Sequence, residues 1–352
     1  MKSMPDHAEM ERAFRNRDGS YDGLFYVGVR TTGVFCRPVC PARKPLPENV
    51  EFFPTPKEAL FAGYRPCKRC KPLKASGELP AWAAGLLNRV ESDPTARIKE
   101  ADLRKSGIEP AKARRFFLNK FGMTFQAYCR ARRLGRAFDE IRNGKRLDDV
   151  ILGHGYESHS GFRDAFLNRF GKPPGKMRSG DFIRIAWIET PLGPMVAGAS
   201  AKKVCFLEFT DRRMLEAQFD ALSRRFRLPI VPGENEVIER LRGELDCYFS
   251  GKLKRFSVPL EYPGTEFQAR VWKALLGIPY GETRSYEDVA RAIDNPGAVR
   301  AVGHANGLNR IAILIPCHRV VNKSGELGGY GGGLWRKKRL LALEQGAAFD
   351  GR

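Results

Sequence analysis

Four cysteines in two close pairs constrain the start of this chain more than any other feature. Three residues separate Cys36 from Cys40, and two separate Cys67 from Cys70. Each pair offers two thiols from one tight turn, and the intervening chain closes a loop, the layout of a tetrahedral all-cysteine zinc site. Pro38, Pro41 and Pro66 stiffen those turns, and Arg37, Arg43, Lys68, Arg69 and Lys71 surround them. The spacing admits three uses. One is a structural staple. A second is a reactive cluster, because four thiolates on one dication keep a net negative charge. The third is a redox switch.

A repeat organises the next segment. Phe117-Leu118-Asn119-Lys120-Phe121-Gly122 recurs as Phe166-Leu167-Asn168-Arg169-Phe170-Gly171. Each copy closes the same unit: a helix, a glycine turn (Gly107, then Gly155) and a second helix. That is a helix-turn-helix, whose second helix can enter a DNA groove. The phenylalanines are read as core. Arg114, Arg115, Arg130, Arg132, Arg133 and Arg136 are read as a basic surface. Polar stretches at 71–80 and 172–180 read as linkers on either side.

Beyond them, residues 182–190 and 204–209 have the branched and aromatic content of strands. Residues 235–249 carry apolar residues at helical spacing behind Asn235, an expected N-cap. Near the carboxyl end an apolar run, residues 311–315, reads as a buried strand that stops at Pro316-Cys317-His318-Arg319. A thiol beside an imidazole is the usual arrangement for drawing off the thiol proton. The glycine-rich stretch at 327–333 lacks the Lys-Ser/Thr of a phosphate loop, which argues against nucleotide binding. Trp272 and Trp335 read as core, Cys129, Cys205 and Cys247 as buried, and His7, His159 and His304 as residues without a chemical role.

The formal net charge is +21 over 352 residues, with a pI near 9.8. Solubility needs far less, so a polyanion, most simply nucleic acid, is the expected partner. No apolar stretch approaches a membrane span and the first residues lack a signal peptide's apolar core, so the expectation is a cytoplasmic, nucleoid-associated protein with no membrane partner. In that compartment the eight cysteines are metal ligands, nucleophiles or core residues rather than disulfides.

These motifs, in this order, resemble the Ada family of bacterial DNA-alkylation response proteins over nearly the whole chain. Gly23-Leu24-Phe25-Tyr26-Val27-Gly28-Val29-Arg30-Thr31-Thr32-Gly33-Val34-Phe35-Cys36-Arg37-Pro38 and Phe61-Ala62-Gly63-Tyr64-Arg65-Pro66-Cys67-Lys68-Arg69-Cys70 resemble its zinc domain. Gly155-Tyr156-Glu157-Ser158 and Gly161-Phe162-Arg163-Asp164-Ala165-Phe166 resemble AraC-type units. Pro316-Cys317-His318-Arg319 is similar to the active-site motif of O6-alkylguanine-DNA alkyltransferases.

The resemblance implies a multidomain α/β and α architecture. Residues 1–76 would form a four-cysteine zinc domain (α+β), and 82–178 an all-α, AraC-type double helix-turn-helix. Residues 181–262 would form a ribonuclease-H-like α/β subdomain, and 263–350 a winged-helix-like alkyltransferase domain. It also implies roles. Cys317 would accept the alkyl group from O6-alkylguanine or O4-alkylthymine, with His318 as base through a bound water and Glu344 orienting it. Asn309 would hold the turn presenting the thiol. Tyr286, Arg300, Tyr330, Arg319 and Arg43 would meet DNA or the flipped base. One zinc would sit on Cys36, Cys40, Cys67 and Cys70. Cys36 would take a methyl from a phosphotriester and so turn the protein into a promoter-binding activator. The expected partners are alkylated and promoter duplex DNA and RNA polymerase, met as a monomer. The competing readings are a DNA-binding regulator with structural zinc and an inactive transferase fold, and a zinc-thiol redox sensor.

Overall fold

The computed structural model describes residues 4–73, 79–93, 95–176, 182–212 and 215–347. Residues 74–78 and 177–181, within or beside the two expected linkers, lie outside them. The first segment begins with α1 (His7–Asn16), whose first turn is capped by Asp6 accepting from Glu9 N. Strands β1 (Tyr26–Val29), β2 (Val34–Cys36) and β3 (Val50–Phe53) follow, then α2 (Pro56–Phe61) and β4 (Arg65–Pro66). They form one sheet in the order β3-β1-β2-β4, antiparallel except for the β2/β4 pair. Gly28 on β1 has to be glycine: a Cβ there would lie 2.7 Å from the Phe53 ring and 2.9 Å from that of Tyr64. Gly28 pairs with Phe35 on β2, one residue before Cys36.

The second segment is all helix: α3 (Ala81–Ser92), α4 (Glu100–Lys105), α5 (Pro110–Phe121), α6 (Phe125–Arg142), α7 (Leu147–Gly153) and α8 (His159–Phe170). The sequence repeat is a structural one. Helices α4/α5 and α7/α8 turn at Gly107 and Gly155, with φ of +69° and +70°, the left-handed region open to glycine. Both second helices end on a left-handed glycine, Gly122 and Gly171. Phe117, Phe121, Phe166 and Phe170 are buried. The basic surface is narrower than the sequence suggests. Arg114, Arg115 and Arg130 are exposed, but Arg132 and Arg136 turn inward to Glu91, at 2.7 and 2.6 Å. Arg133 lies over the Tyr156 ring. A carboxylate on α3, half a domain away in sequence, draws two of these cations out of the surface.

The third segment carries β5 (Ile183–Ile188), β6 (Met195–Ala199), β7 (Val204–Phe209), α9 (Leu215–Phe226), β8 (Ile230–Pro232) and α10 (Glu236–Phe249). Its sheet runs β7-β6-β5-β8, antiparallel except for β8 against β5. Strand β6 was not expected; its small residues Ala197, Gly198 and Ala199 carry little strand signal, and its two neighbours impose it. Asn235 caps α10 as expected, accepting from Ile238 N at 3.0 Å. Cys247 on α10 is exposed and Cys129 on α6 half-buried, against the expectation that both are buried; only Cys205, on β7, is fully enclosed. On α10 the buried stripe is Ile238, Leu241, Leu245, Tyr248 and Phe249, which leaves Cys247 off the apolar face.

The last segment has α11 (Glu266–Leu276), β9 (Arg284–Ser285), α12 (Tyr286–Ala292), α13 (Val299–Gly307), β10 (Val320–Val321) and α14 (Leu334–Glu344). Trp272 is buried, donating to the Ala305 carbonyl at 2.9 Å. Trp335 is half-buried and packs both against this core and against the cluster around Phe14 and Phe25 of the first segment. Residues 311–315 are buried but do not form a strand. Ile311 makes one bridge to Leu207 on β7, and the chain then curls: Leu314 N donates to Ala312 O at 2.9 Å, around Ile313 at φ +72°. A branched residue in a positive-φ γ-turn is strained. The strain is held by the Asn309 side chain, which bonds the backbone of this run where a neighbouring strand would have done so.

Candidate active site and zinc centre

Asn309 is the hub of the thiol turn. Its oxygen accepts from Ile311 N at 2.9 Å, and its Nδ2 donates to Ile315 O at 2.9 Å and to Cys317 Sγ at 3.1 Å. A single side chain thus spans the turn and touches the sulfur it presents. Cys317 is 4% exposed. Burial pushes its thiol up, and the Asn309 bond only partly offsets this. The resting sulfur is therefore a protonated thiol, and a base has to relieve it of that proton.

His318 and Glu344 are fully buried side chains, joined by His318 Nε2 and Glu344 Oε1 at 2.8 Å. The same oxygen accepts from Tyr248 Oη at 2.7 Å, and Oε2 accepts from Gly281 N at 3.1 Å. Arg319 completes the cage from Nε and Nη2, at 2.8 and 2.9 Å. Burial would raise the Glu344 carboxyl, but its bonds and charge interactions with His318 and Arg319 overcome this and hold it down to about 2. Burial likewise keeps His318 below the usual imidazole range, against the pull of Glu344. An ionised carboxylate can only accept, so Nε2 carries the hydrogen and Nδ1 the lone pair. Nδ1 has no hydrogen-bond partner among the described residues.

Cys317 opens on a cavity of about 440 Å³ lined by Tyr286, Gly303, Asn306, Asn322, Gly328 and Tyr330, among others. Tyr286 begins α12 and reaches across to the Gly329 carbonyl at 3.4 Å. The Tyr330 ring lies edge-on to His318, 6.4 Å between centroids. Arg300 is exposed on α13, the helix that carries Gly303, Asn306 and Gly307 of the cavity lining, and is not itself among the lining residues. Arg319 does not reach this cavity. Its guanidinium is spent on Glu344 and, at 2.6 Å, on the Ile278 carbonyl. The expected DNA contact is corrected to an internal support, because the short turn at 317–319 that presents the thiol sends the next side chain inward.

Two residues of this site escaped the sequence reading. Asn306 donates to the Cys317 carbonyl at 3.3 Å, while its oxygen has no partner among the described residues. Lys337 is buried and donates to the carbonyls of Val320 and Gly328. Burial lowers its ammonium to about 8, with Cys317 opposing. Its spacing of seven from Glu344 on one helix face was the available signal.

The other centre lies at the end of β2. Cys36, Cys40, Cys67 and Cys70 place their sulfurs within 4.8 Å of one another, with Cys40 and Cys67 at 3.9 Å. Four thiolates around a zinc ion at about 2.3 Å stand roughly 3.8 Å apart, so the donor set fits. Backbone supports the turns: Arg37 N donates to Cys70 Sγ at 3.3 Å, and Cys67 N to the Phe35 carbonyl at 3.0 Å. Arg17 brackets the first turn from the carbonyls of Cys40 and Ala42, both at 3.0 Å. Hydrogen bonds to Cys40 and Cys70, with burial, push the Cys36 thiol up when no cation is present; a dication removes that penalty. Arg43, Lys68, Arg69 and Lys71 around it are exposed.

Three family models match the chain in order: the metal binding domain of Ada over residues 9–72, a helix-turn-helix domain over 103–180, and the DNA binding domain of 6-O-methylguanine DNA methyltransferase over 266–346. The bifunctional transcriptional activator/DNA repair enzyme Ada of Escherichia coli K12 is 35% identical over 341 residues, which is 93% of this chain and 93% of its own.

The chain belongs to the Ada family.

The methylated-DNA–protein-cysteine methyltransferase of Mycobacterium tuberculosis H37Rv is 47% identical over 166 residues, 47% of this chain and 94% of its own. A crystal structure of Mycobacterium tuberculosis OGT in complex with DNA is 44% identical, covering 47% of this chain and 92% of that one, with a TM-score of 0.40. As in its family, this Ada-type chain binds one zinc ion through Cys36, Cys40, Cys67 and Cys70. Its architecture joins a zinc domain, paired helix-turn-helix units and an alkyltransferase domain.

Proposed function

We propose that this protein repairs alkylated DNA by moving the alkyl group irreversibly onto its own sulfur, and that a second transfer turns it into a transcriptional activator. The observation that carries the repair reading is the Asn309–Cys317 contact at 3.1 Å above the buried His318–Glu344 pair at 2.8 Å. The cavity that Cys317 opens on, about 440 Å³, has the size of a small-ligand pocket. A base inside a duplex cannot meet a sulfur there in line, so it swings out, at a cost of roughly a few kcal/mol. Arg300 fills the gap it leaves, Tyr286 meets the backbone and the ring, and Tyr330 walls the pocket. His318 Nδ1 takes the thiol proton through a water. The sulfur attacks the alkyl carbon, an S–C bond forms as the C–O6 bond breaks, and the guanine anion recovers a proton. Neutral thiol and alkylguanine become thioether and guanine, with no oxidant involved. No side chain reverses a thioether, so one chain repairs one lesion.

In the first domain Cys36 takes a methyl from a backbone phosphotriester: an S–C bond forms as the methyl–oxygen bond breaks, and an ordinary phosphodiester anion leaves. Zinc, when bound, keeps the four sulfurs as thiolates. Solvent exposure alone would rank Cys70 first, and the choice of Cys36 rests on its motif position. Alkylating one thiolate lowers the negative charge of the cluster by one. That weakens its repulsion from phosphates and strengthens the grip of Arg43 and its neighbours on DNA. In this reading the monomer then holds promoter DNA for RNA polymerase, and the protein lives in the cytoplasm on the nucleoid; no described helix is long and apolar enough to cross a membrane.

Intact-mass and peptide mapping after incubation with duplexes carrying O6-methylguanine or a methyl phosphotriester tests both steps. One added methyl on the Cys317 peptide and one on the Cys36 peptide are expected. An unmodified Cys317 peptide would sink the repair reading.

A further inference from the structure

The thiol turn is not held by its own domain alone. Strand β7 of the preceding subdomain bonds directly to it: Leu207 N donates to the Arg310 carbonyl at 2.8 Å, and Ala312 N to the Leu207 carbonyl at 2.8 Å. The next residue, Glu208, is completely enclosed and forms an ion pair with Arg212. The Arg212 guanidinium continues from Glu208 to two carbonyls of the thiol turn. Nη1 donates to Asn309 O at 3.1 Å and Nη2 to Gly307 O at 2.5 Å. Its plane also lies against the glycine loop, where a Cβ on Gly331 would come within 2.7 Å of Arg212 Cζ. A fork of fixed geometry thus ties Gly307, Asn309 and the loop bearing Tyr330 to one buried carboxylate. A cation buried against backbone carbonyls is costly without a counter-ion, which gives Glu208 its place.

We propose that Arg212, anchored by Glu208, is a positioning residue for alkyl transfer: it fixes the Asn309 backbone and so the amide that touches the Cys317 sulfur. The pair also sets charge at the thiol, since Glu208 raises and Arg212 lowers the energy of ionising it. The other titratable and charged groups near the sulfur are His318, Tyr286 on α12, Tyr330 in the glycine loop and Lys337 on α14. None of them bonds the Asn309 carbonyl. The proposal rests on Cys317 being the acceptor.

The experiment uses the full chain and three variants, Arg212→Lys, Arg212→Gln and Glu208→Gln. Single-turnover methyl transfer from an O6-methylguanine duplex is followed across pH, with the Cys317 peptide as readout. Losing the fork in Arg212→Lys leaves the charge in place; the rate falls about 10- to 100-fold, the cost of displacing reacting groups by a fraction of an ångström to an ångström, while the midpoint of the pH profile stays. Arg212→Gln lowers the rate similarly and moves the midpoint up, and Glu208→Gln moves it down. Shifts of opposite sign are not produced by loosened packing alone. If Arg212→Gln does not fold, the other two variants still decide. Arg212→Lys within twofold of wild type, or Glu208→Gln moving the midpoint up, overturns the proposal while wild-type transfer stays intact. Failure of the wild-type chain itself to methylate Cys317 overturns the repair reading and this proposal with it.

Discussion

At the first centre four sulfurs stand within 4.8 Å of one another around one dication, and at the second a single sulfur stands with an amide nitrogen at 3.1 Å. Both are buried or half-buried thiols beside cationic chain, yet their proton is handled by different means. In the first, charge is supplied by the metal, and the fold need only bring four short side chains together. In the second, on the proposed reading, the cost of ionising a buried thiol falls on precise neighbours: Asn309, His318 and the carboxylate behind it. The first arrangement depends on a ligand that can be removed, the second on packing that cannot be removed without unfolding. This difference can be broken at its parts.

Stripping zinc with a chelator has the largest expected effect. A structural four-thiolate site contributes on the order of 10–16 kcal/mol at neutral pH, comparable to the whole stability of about 5–15 kcal/mol of a typical domain. The first domain should lose its cooperative melt and its methyl uptake at Cys36, while Cys317 still accepts methyl from O6-methylguanine. Parallel calorimetry and peptide mapping check this. Equal loss at both sulfurs would show that the centres are not independent.

Single substitutions come next. Cys317→Ala should reduce transfer from O6-methylguanine by at least roughly 10³-fold, as expected when a nucleophile is removed. Transfer from the phosphotriester should be unchanged. Cys36→Ala should show the reverse pattern. Transfer rates on the two substrates, measured on the same preparations, decide it.

Acid should separate the centres further. Glu344 titrates at about 2 in the folded chain, below the ordinary carboxylate range. A depressed carboxylate contributes stability above its unfolded value, near 4.3, and loses it as pH falls toward 2. The loss is on the order of 3 kcal/mol. Melting of the last domain between pH 5 and pH 2 should therefore steepen in wild type and flatten in Glu344→Gln, which begins less stable at neutral pH. A wild-type profile as flat as that of the variant would remove Glu344 from the buried network.

What the sequence disclosed and what it withheld follow from range. The zinc ligands and the twin helix-turn-helix units were legible because their signals are local: cysteine spacing, a repeated Phe-Gly ending, glycines at turns. The thiol, imidazole and carboxylate were legible through a motif. The supports were not. Nothing around Glu208 or Arg212 signals that they lie beneath a turn about a hundred residues later. Asn306 looks like any polar residue on a helix. Residues 311–315 have a strand's composition, and only the bonds made by Asn309 determine that they curl. The family resemblance gives Arg319 to DNA; the turn geometry sends it to Glu344 instead. Arg132 and Arg136 read as surface cations in the sequence, and Glu91 holds them.

The smallest effect is expected at a third thiol, and it sharpens the contrast between the other two. Cys247 is exposed on α10, so a soluble alkylating reagent such as iodoacetamide should reach it before the enclosed Cys205. Exposure does not make it an acceptor from DNA. It is not one of the four cysteines gathered as metal ligands, and it does not line the cavity that Cys317 opens on. Cys247→Ser should change stability by no more than about 0.5 kcal/mol and leave both methyl-transfer rates as they were, while abolishing the fastest phase of iodoacetamide labelling. If Cys247 took methyl from a duplex at a rate comparable to Cys317, thiol accessibility rather than the Asn309–His318–Glu344 arrangement would govern transfer, and the distinction between a sulfur prepared by its neighbours and one merely within reach would fail.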